Sequence, residues 1–144
     1  MKKIFTLFAA LTISAGAFAQ IPNASFESWT TSGSANNPDG WGNLNATTGS
    51  FMFYTCEKGT TGAPDGSAFI KLTSKSVPLT TSVAPAVAVT GNLAVDLAAG
   101  TYDISGGFAW STRSANLTGK WQHMGSGSDH GRIIVAFSKW NTAT

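Results

Sequence analysis

The sequence predicts an all-β fold, a β-sandwich or jelly roll, on three observations. Sixteen glycines and only 11% charged residues favour strands and tight turns over helices. After the first 19 residues, no window has a long apolar stripe at helical spacing, whereas several windows alternate apolar and polar side chains. About eight short strands separated by turn residues are typical of a sandwich or jelly roll rather than a closed barrel.

Residues 1–19 have the pattern of a secretory leader. Lys2 and Lys3 form a positive start, Ile4 to Ile13 is apolar, and Ala17-Phe18-Ala19 supplies the small residues that precede a cleavage site. The apolar run is too short to span a membrane. We therefore expect removal of the leader, no membrane insertion afterwards, and a secreted, extracellular or outer-membrane-surface location in a bacterium.

The mature chain, residues 20–144, is close to neutral and is expected to form one domain. The full sequence has nine basic and seven acidic residues, and two of the nine basic residues lie in the leader, which leaves seven of each sign. Nucleic acids and anionic membranes are therefore poor partners, because their binding needs clustered positive charge. A neutral polar ligand fits better, and we expect a monomer or one part of a longer chain.

Four candidate strands lie between Ser25 and Val89 of the mature chain. Turn sequences bound them, with Pro38-Asp39-Gly40 after the first and Pro64-Asp65-Gly66 before the third. The second ends at Cys56, the single cysteine, which excludes an internal disulfide and is expected to be a buried, inert thiol. The four strands are Ser25 to Thr30, Phe51 to Cys56, Ser67 to Thr73 and Val83 to Val89.

Four more candidate strands follow in the second half of the chain. They are Leu93 to Leu97, Tyr102 to Trp110, Leu117 to Met124 and Arg132 to Trp140. Residues from Arg132 to Phe137 are apolar on both faces, which predicts a central strand covered by a second layer. Asn141-Thr142-Ala143-Thr144 has the composition of a turn leading onward, so we expect the jelly roll to be incomplete at its C-terminal end.

Several short motifs, in this order and spacing, resemble known domains. Phe26-Glu27, Trp29 and Pro38-Asp39-Gly40-Trp41, followed by the Gly-Ser turn and strand of Pro64 to Leu72, resemble carbohydrate-binding modules of the galactose-binding jelly-roll superfamily. The run from Ala115 to Met124, with Asp129 and the strand from Arg132, resembles a carbohydrate-metabolism domain of secreted bacterial proteins. Many of those proteins also carry a C-terminal sorting domain for type IX secretion.

The resemblance implies a secreted, non-catalytic module at the cell surface or outside the cell that binds glycan or assists its handling. It also implies a structural calcium ion held by Glu27 and backbone oxygens near Gly66, since calcium prefers oxygen ligands. The late acidic strand that often completes such a site is missing from this sequence. Two alternatives stay open: a structural or adhesive surface module without a small ligand, and a fragment of a larger glycan-active enzyme.

Trp121 is the main candidate for a sugar-binding side chain. By strand alternation it shares a face with His123, and sugar C–H faces pack on aromatic rings while polar groups at the rim bind hydroxyls. Gln122, Arg113 and Asp129 are the expected polar neighbours. The alternative is a solvated face with Trp121 packed over it, because tryptophans more often serve burial than ligand binding. For Trp29 and Trp41 we expect a packing role in the core or at its edge.

The sequence contains no recognisable catalytic motif. It contains no Gly-x-Ser-x-Gly elbow, no His-Glu-x-x-His pair and no glycine loop of the phosphate-binding type. His123, Asp129 and His130 lack the fixed spacing of a metal site, so a surface loop is the better interpretation. We therefore expect no enzymatic activity from this chain.

We expect the exported protein to begin at Gln20, because signal peptidase cuts after small residues such as those of Ala17-Phe18-Ala19. Mass spectrometry of the N-terminal peptide of the exported protein measures this directly. An exported species that retains Met1 or Lys2 would contradict the leader.

Overall fold

A computed structural model of the chain describes residues 21–96, 99–112 and 114–139. The predicted leader, Arg113 and Trp140 lie outside the described residues. Strands account for 32% of the structure and helix for 6%, which confirms a mainly β fold. The chain divides into two compact units, one up to Arg113 and one from Ser114 onward.

All regular elements of the described residues belong to the first unit. The strands are β1 Trp29–Ser32, β2 Ala35–Pro38, β3 Trp41–Asn43, β4 Cys56–Gly59, β5 Phe69–Leu72, β6 Lys75–Ser76, β7 Val83–Ala84, β8 Ala88–Thr90, β9 Asn92–Asp96 and β10 Thr101–Ser105. A short helix α1, Asn45–Thr48, and a 3-10 turn at Gly49–Phe51 stand between β3 and β4.

The ten strands form five antiparallel pairs. Three pairs are local hairpins, namely β1 with β2, β6 with β7, and β9 with β10. The other two are less local: β4 pairs with β5, and β3 pairs with β8 so that Trp41 lies opposite Thr90. A parallel bridge from Trp41 to Gly91 extends this last pairing. The pair of β3 and β8 therefore joins the start of the unit to its later hairpin.

The predicted strand Phe51 to Cys56 is wrong except at its last residue. Phe51 ends the 3-10 turn, Met52 has a φ of 61°, and only Cys56 belongs to β4. A left-handed residue breaks the extended backbone that a strand needs, so the apolar run forms a turn instead.

Other predicted strands of the first unit survive in shortened form where turn chemistry interrupts them. The first begins at Trp29 because Asn23 and Phe26 have positive φ angles, 46° and 55°, and close a turn instead. Val83 to Val89 is split around Pro85, which has no N–H to donate to a strand ladder. The strand from Tyr102 ends at Ser105, ahead of two glycines with positive φ.

The predicted strands Leu117 to Met124 and Arg132 to Trp140 are wrong over their described residues. The structure has no strand in 114–139, and Ile134 and Phe137 are 75% and 73% exposed rather than covered by a second layer. A strand needs a partner for its backbone hydrogen bonds. Apolar periodicity predicts which side chains share a face, but it does not supply that partner.

The interior of the first unit is built around a buried asparagine. Asn45 is 1% exposed, and its Nδ2 donates to the carbonyl of Cys56 at 2.7 Å and to Oδ1 of Asn37 at 2.9 Å. Its Oδ1 accepts a hydrogen bond from the Cys56 N–H at 3.1 Å. The carboxamide thus pairs with Cys56 as a neighbouring strand would, and it connects α1 to β2 and β4.

A few apolar side chains, most of them small, complete this interior. The buried apolar residues are Ala35, Leu44, Cys56 and Ala68. Cys56 is fully buried, as predicted, and burial raises the pKa of its thiol to about 11. A thiol with so high a pKa holds its proton at neutral pH and is a poor nucleophile.

A second asparagine organises the segment before β1. The carboxamide of Asn23 accepts a hydrogen bond from the Ser28 N–H at 3.0 Å and donates one to the Ser28 carbonyl at 2.8 Å. It also donates to the carbonyl of Asp39 at 3.2 Å. The Asp39 N–H in turn donates to the Ser28 carbonyl at 3.0 Å. These bonds fix residues 23–28 against the turn after β2.

We expect Asn45→Ala to lower the free energy of unfolding by about 3 kcal/mol or more. It leaves both backbone groups of Cys56 and Oδ1 of Asn37 without their partner, at about 1–3 kcal/mol for each buried group. Urea denaturation of the mature protein measures the change. The matched control is Asn116→Ala at an exposed asparagine, expected within about 0.5 kcal/mol of the unsubstituted protein. Equal stability of the two variants would contradict the central role of Asn45.

Candidate functional site

Trp29 and Trp41 are half-buried and serve packing. Nε1 of Trp41 donates to the carbonyl of Pro22 at 2.9 Å, and Nε1 of Trp29 donates to the carbonyl of Phe26. The rings of Phe26 and Trp41 have centroids 5.0 Å apart and planes tilted by 47°. These contacts agree with the packing role predicted for both tryptophans, although neither ring is fully buried.

The carboxylate of Glu27 holds the turn before β5. Its Oε1 accepts hydrogen bonds from the backbone N–H groups of Ser67, at 2.9 Å, and Ala68, at 3.0 Å, and its Oε2 accepts one from the Ser67 hydroxyl. Gly66 has a φ of +71°, and a Cβ there would overlap Oε1 of Glu27. The Ser67 hydroxyl first, then the two backbone donors, lower the pKa of Glu27 below its usual 4.5.

These contacts do not fit a calcium site at Glu27. The groups around the carboxylate are N–H and O–H donors, which present positive hydrogens, whereas calcium takes about six to eight oxygen ligands. Within residues 21–96, 99–112 and 114–139, no three His, Cys, Asp or Glu side chains form a group that could hold a metal ion. Calcium at Glu27 stays a prediction of the resemblance, and no functional step below depends on it.

In the second unit, Trp121 and His123 lie side by side. Their ring centroids are 6.1 Å apart and their planes differ by 27°, although the strand on which the sequence analysis places them does not form. Trp121 is 66% exposed. The structure therefore presents an accessible indole ring next to an imidazole ring.

Glycines let the backbone lie close to both rings. A Cβ at Gly131 would lie 3.1 Å from Cζ3 of Trp121 and 3.4 Å from Cδ2 of His123. A Cβ at Gly125 would lie 2.6 Å from Cε1 of His123 and 3.0 Å from the carbonyl oxygen of Asp129. The turn between these glycines closes through the Asp129 N–H, which donates to the Ser126 carbonyl at 3.3 Å. The rings thus pack on a glycine-flanked turn.

For the remaining predicted site residues, the structure shows no side-chain contact with the rings of Trp121 and His123 among the residues that it describes. Gln122 and Asp129 are exposed, and the backbone carbonyl of Asp129 lies close to Gly125 rather than on the rings. Arg113 is outside the described residues, so its predicted contact with Trp121 stays a prediction. His130 is exposed as well, in agreement with its interpretation as a loop residue.

The sequence analysis did not single out an open cleft in the first unit, about 540 Å³ in volume. Asparagines from three strands and the residue that starts α1 line it, together with Trp41 and Tyr54; these asparagines are Asn37, Asn43, Asn45 and Asn92. The asparagines lie up to 55 positions apart in the chain, so no local motif could have signalled that they meet. Only the pairing of distant strands brings them together.

Comparison with known proteins finds no relative of this chain. No protein-family model matches the chain, and neither a curated protein nor a solved structure matches it. The resemblance to carbohydrate-binding modules therefore stays a prediction. Among the described residues, no helix is long and apolar enough to cross a membrane.

We expect the protein to lose stability as the pH falls below about 4.5, because hydrogen bonds lower the pKa values of Glu27 and Asp39 in the folded state. The donors to Asp39 are the hydroxyls of Ser28 and, at 2.7 Å, Thr30. A lowered folded-state pKa stabilises the fold above the unfolded pKa, and this contribution is lost as the pH falls through the folded pKa.

The variant Glu27→Gln tests this pH dependence. It removes one of the two carboxylates, so its melting temperature should fall less steeply between pH 5 and pH 2 than that of the unsubstituted protein. Asp103→Asn, at an exposed carboxylate of β10, is the matched control. An unchanged slope for Glu27→Gln would contradict the assignment of this carboxylate to the turn.

Proposed function

We propose that this protein is a secreted, non-catalytic module that binds neutral glycans through the face formed by Trp121 and His123. The observation that carries the proposal is the exposed indole of Trp121, held beside His123 on a glycine-flanked turn. Secretion is supported by the leader pattern of residues 1–19. The jelly-roll sandwich arrangement is part of the same proposal, supported by the mainly β fold with antiparallel pairs.

The chemistry of this face suits a sugar ring. An exposed indole offers a flat apolar surface against which the C–H groups of a pyranose pack. His123 adds ring nitrogens at 6.1 Å centroid separation from the indole, close enough to bind hydroxyls at the edge of the same sugar. Gln122, which follows Trp121 directly, adds a carboxamide that can both donate and accept.

Positioning of the rings lowers the cost of binding. A side chain that must be ordered on binding costs about 0.5–1.5 kcal/mol. Gly131 lies close to the indole of Trp121, and Gly125 lies close to the imidazole of His123. This close packing reduces the freedom of the two rings before the ligand arrives. The near-zero charge of the mature chain also favours a neutral ligand over an anionic one.

A structural or adhesive surface module is the second candidate. The observation in its favour is the exposed apolar run of Ile133, Ile134 and Val135, which are 66%, 75% and 55% exposed, since contiguous exposed apolar surface marks interaction sites. A glycan array probed with the mature protein separates the two candidates, because an adhesive module of this kind gives no glycan signal.

We expect Trp121→Ala to reduce glycan binding below detection and to leave the fold intact, because stacking on one ring contributes on the order of a kcal/mol in a weak site. His123→Ala should weaken binding less, through one lost hydrogen bond. Each glycan that gives a signal on the array is titrated into the variants by calorimetry, and circular dichroism shows whether the variants are folded. Met124→Ala, at a neighbouring side chain that is 86% exposed, is the control and should bind normally.

Two results would contradict this site. If Trp121→Ala unfolds the protein, the indole is part of the packing rather than a ligand site. If the variant folds and every glycan signal persists, the binding face lies elsewhere.

A further inference from the structure

The described lining of the cleft in the first unit consists of neutral polar, aromatic and aliphatic residues. None of the described residues that line it is Asp, Glu, Lys, Arg or His. Its volume, about 540 Å³, lies within the range of about 300–1,000 Å³ that is usual for small-ligand pockets. An ion would find no opposite charge here, so the lining selects for an uncharged ligand.

Hydrogen bonds fix the orientation of two amides in the cleft. Oδ1 of Asn37 accepts from Nδ2 of Asn45 at 2.9 Å, and Oδ1 of Asn43 accepts from the backbone N–H of Asn45 at 2.9 Å. Both oxygens therefore face Asn45. The Nδ2 groups of Asn37 and Asn43 have no partner among the residues that the structure describes, so they remain available as donors.

A third amide complements these donors. Asn92 starts β9 and is exposed, and its carboxamide has no hydrogen-bond partner within the described part of the chain. It can therefore donate and accept at once. The surface between Asn43 and Asn92 is close-packed, because a Cβ at Gly42 would lie 2.6 Å from the backbone nitrogen of Leu93.

We propose that this cleft is a second ligand site, specific for a neutral saccharide ring. Each hydroxyl of a sugar both donates and accepts, which matches two oriented N–H donors and one free amide. Trp41 and Tyr54 supply aromatic surface in the same lining, against which sugar C–H groups pack. A metal cation would need oxygen ligands, whereas Asn37 and Asn43 present nitrogen donors.

The site extends the proposed glycan binding but does not depend on Trp121, since every described residue of its lining lies between Ser32 and Leu93. Asn45 is a positioning residue in it. Its Nδ2 donates to Asn37 and to Cys56, and its backbone N–H donates to Asn43, so it orients both asparagines and has no free donor for a ligand.

The test is a titration of the ¹⁵N-labelled mature protein with D-glucose, D-galactose, D-mannose and N-acetyl-D-glucosamine. At least one sugar should shift the side-chain amide signals of Asn37, Asn43 and Asn92. Asn92→Ala should raise the dissociation constant about fivefold to tenfold, as expected for lost hydrogen bonds. Asn116→Ala, at an exposed asparagine outside the cleft, should leave it unchanged.

A second variant covers the case in which Asn92→Ala does not fold. Ala46→Leu adds bulk at an exposed position of α1 that lines the cleft, and it should abolish the same shifts. Saccharide binding that is undiminished in Ala46→Leu would overturn the proposal, as would the absence of any shift with all four sugars. Shifts with adenosine or uridine but none with a sugar would also overturn it, because they would assign the cleft to a nucleoside.

Repeating the titration in the Trp121→Ala background separates the two sites. Shifts of the Asn92 signal that persist there belong to the cleft and support this inference, whatever happens to binding at Trp121. Shifts that vanish in Trp121→Ala but persist in Asn92→Ala would overturn the cleft and leave the proposed face at Trp121 as the sugar site.

Discussion

The carboxamide of Asn45 is the interaction on which the rest of the first unit depends. It satisfies both backbone groups of Cys56 and reaches Asn37 in β2, so one side chain holds three elements together. Apart from Leu44, the buried apolar side chains among the described residues are small, such as Ala35 and Ala68, and each contributes little hydrophobic stabilisation. In such an interior an unpaired polar group is costly, because no water replaces the lost partner. The hydrogen bonds of Asn45 therefore decide where α1 and β4 lie.

At other places in the unit, too, side chains form the hydrogen bonds to the backbone that a neighbouring strand would otherwise form. Asn23 bonds to both backbone groups of Ser28, and Glu27 accepts two backbone N–H groups in the turn before β5. Short polar side chains can bond to nearby backbone groups and so compete with continuous ladders. The strands of this unit have two to five residues, which is consistent with such competition.

Both proposed sites consist mainly of uncharged groups. Asparagine amides and aromatic rings can bind hydroxyl groups and C–H faces without a charged partner, and the described lining of the cleft near Asn92 includes both and no charged residue. The face at Trp121 adds an imidazole from His123. The cleft is formed by distant strands, whereas the Trp121 face is formed by one stretch of chain that turns back at Ser126 and Asp129. This difference explains why one was visible in the sequence and the other was not.

The sequence by itself determined the mainly β class and the burial of Cys56, because these follow from composition and from a short apolar run. It named Trp121 and His123 as neighbours from strand alternation, but the rings lie side by side in a segment that forms no strand. It did not determine strand ends, since turns at Phe26 and breaks such as Pro85 act through backbone geometry. It also predicted a covered strand from Arg132 that the structure does not form. The cleft around Asn92 and the role of Asn45 were decided by tertiary structure alone, because hydrogen bonds between residues far apart in the chain form only once the intervening turns have closed.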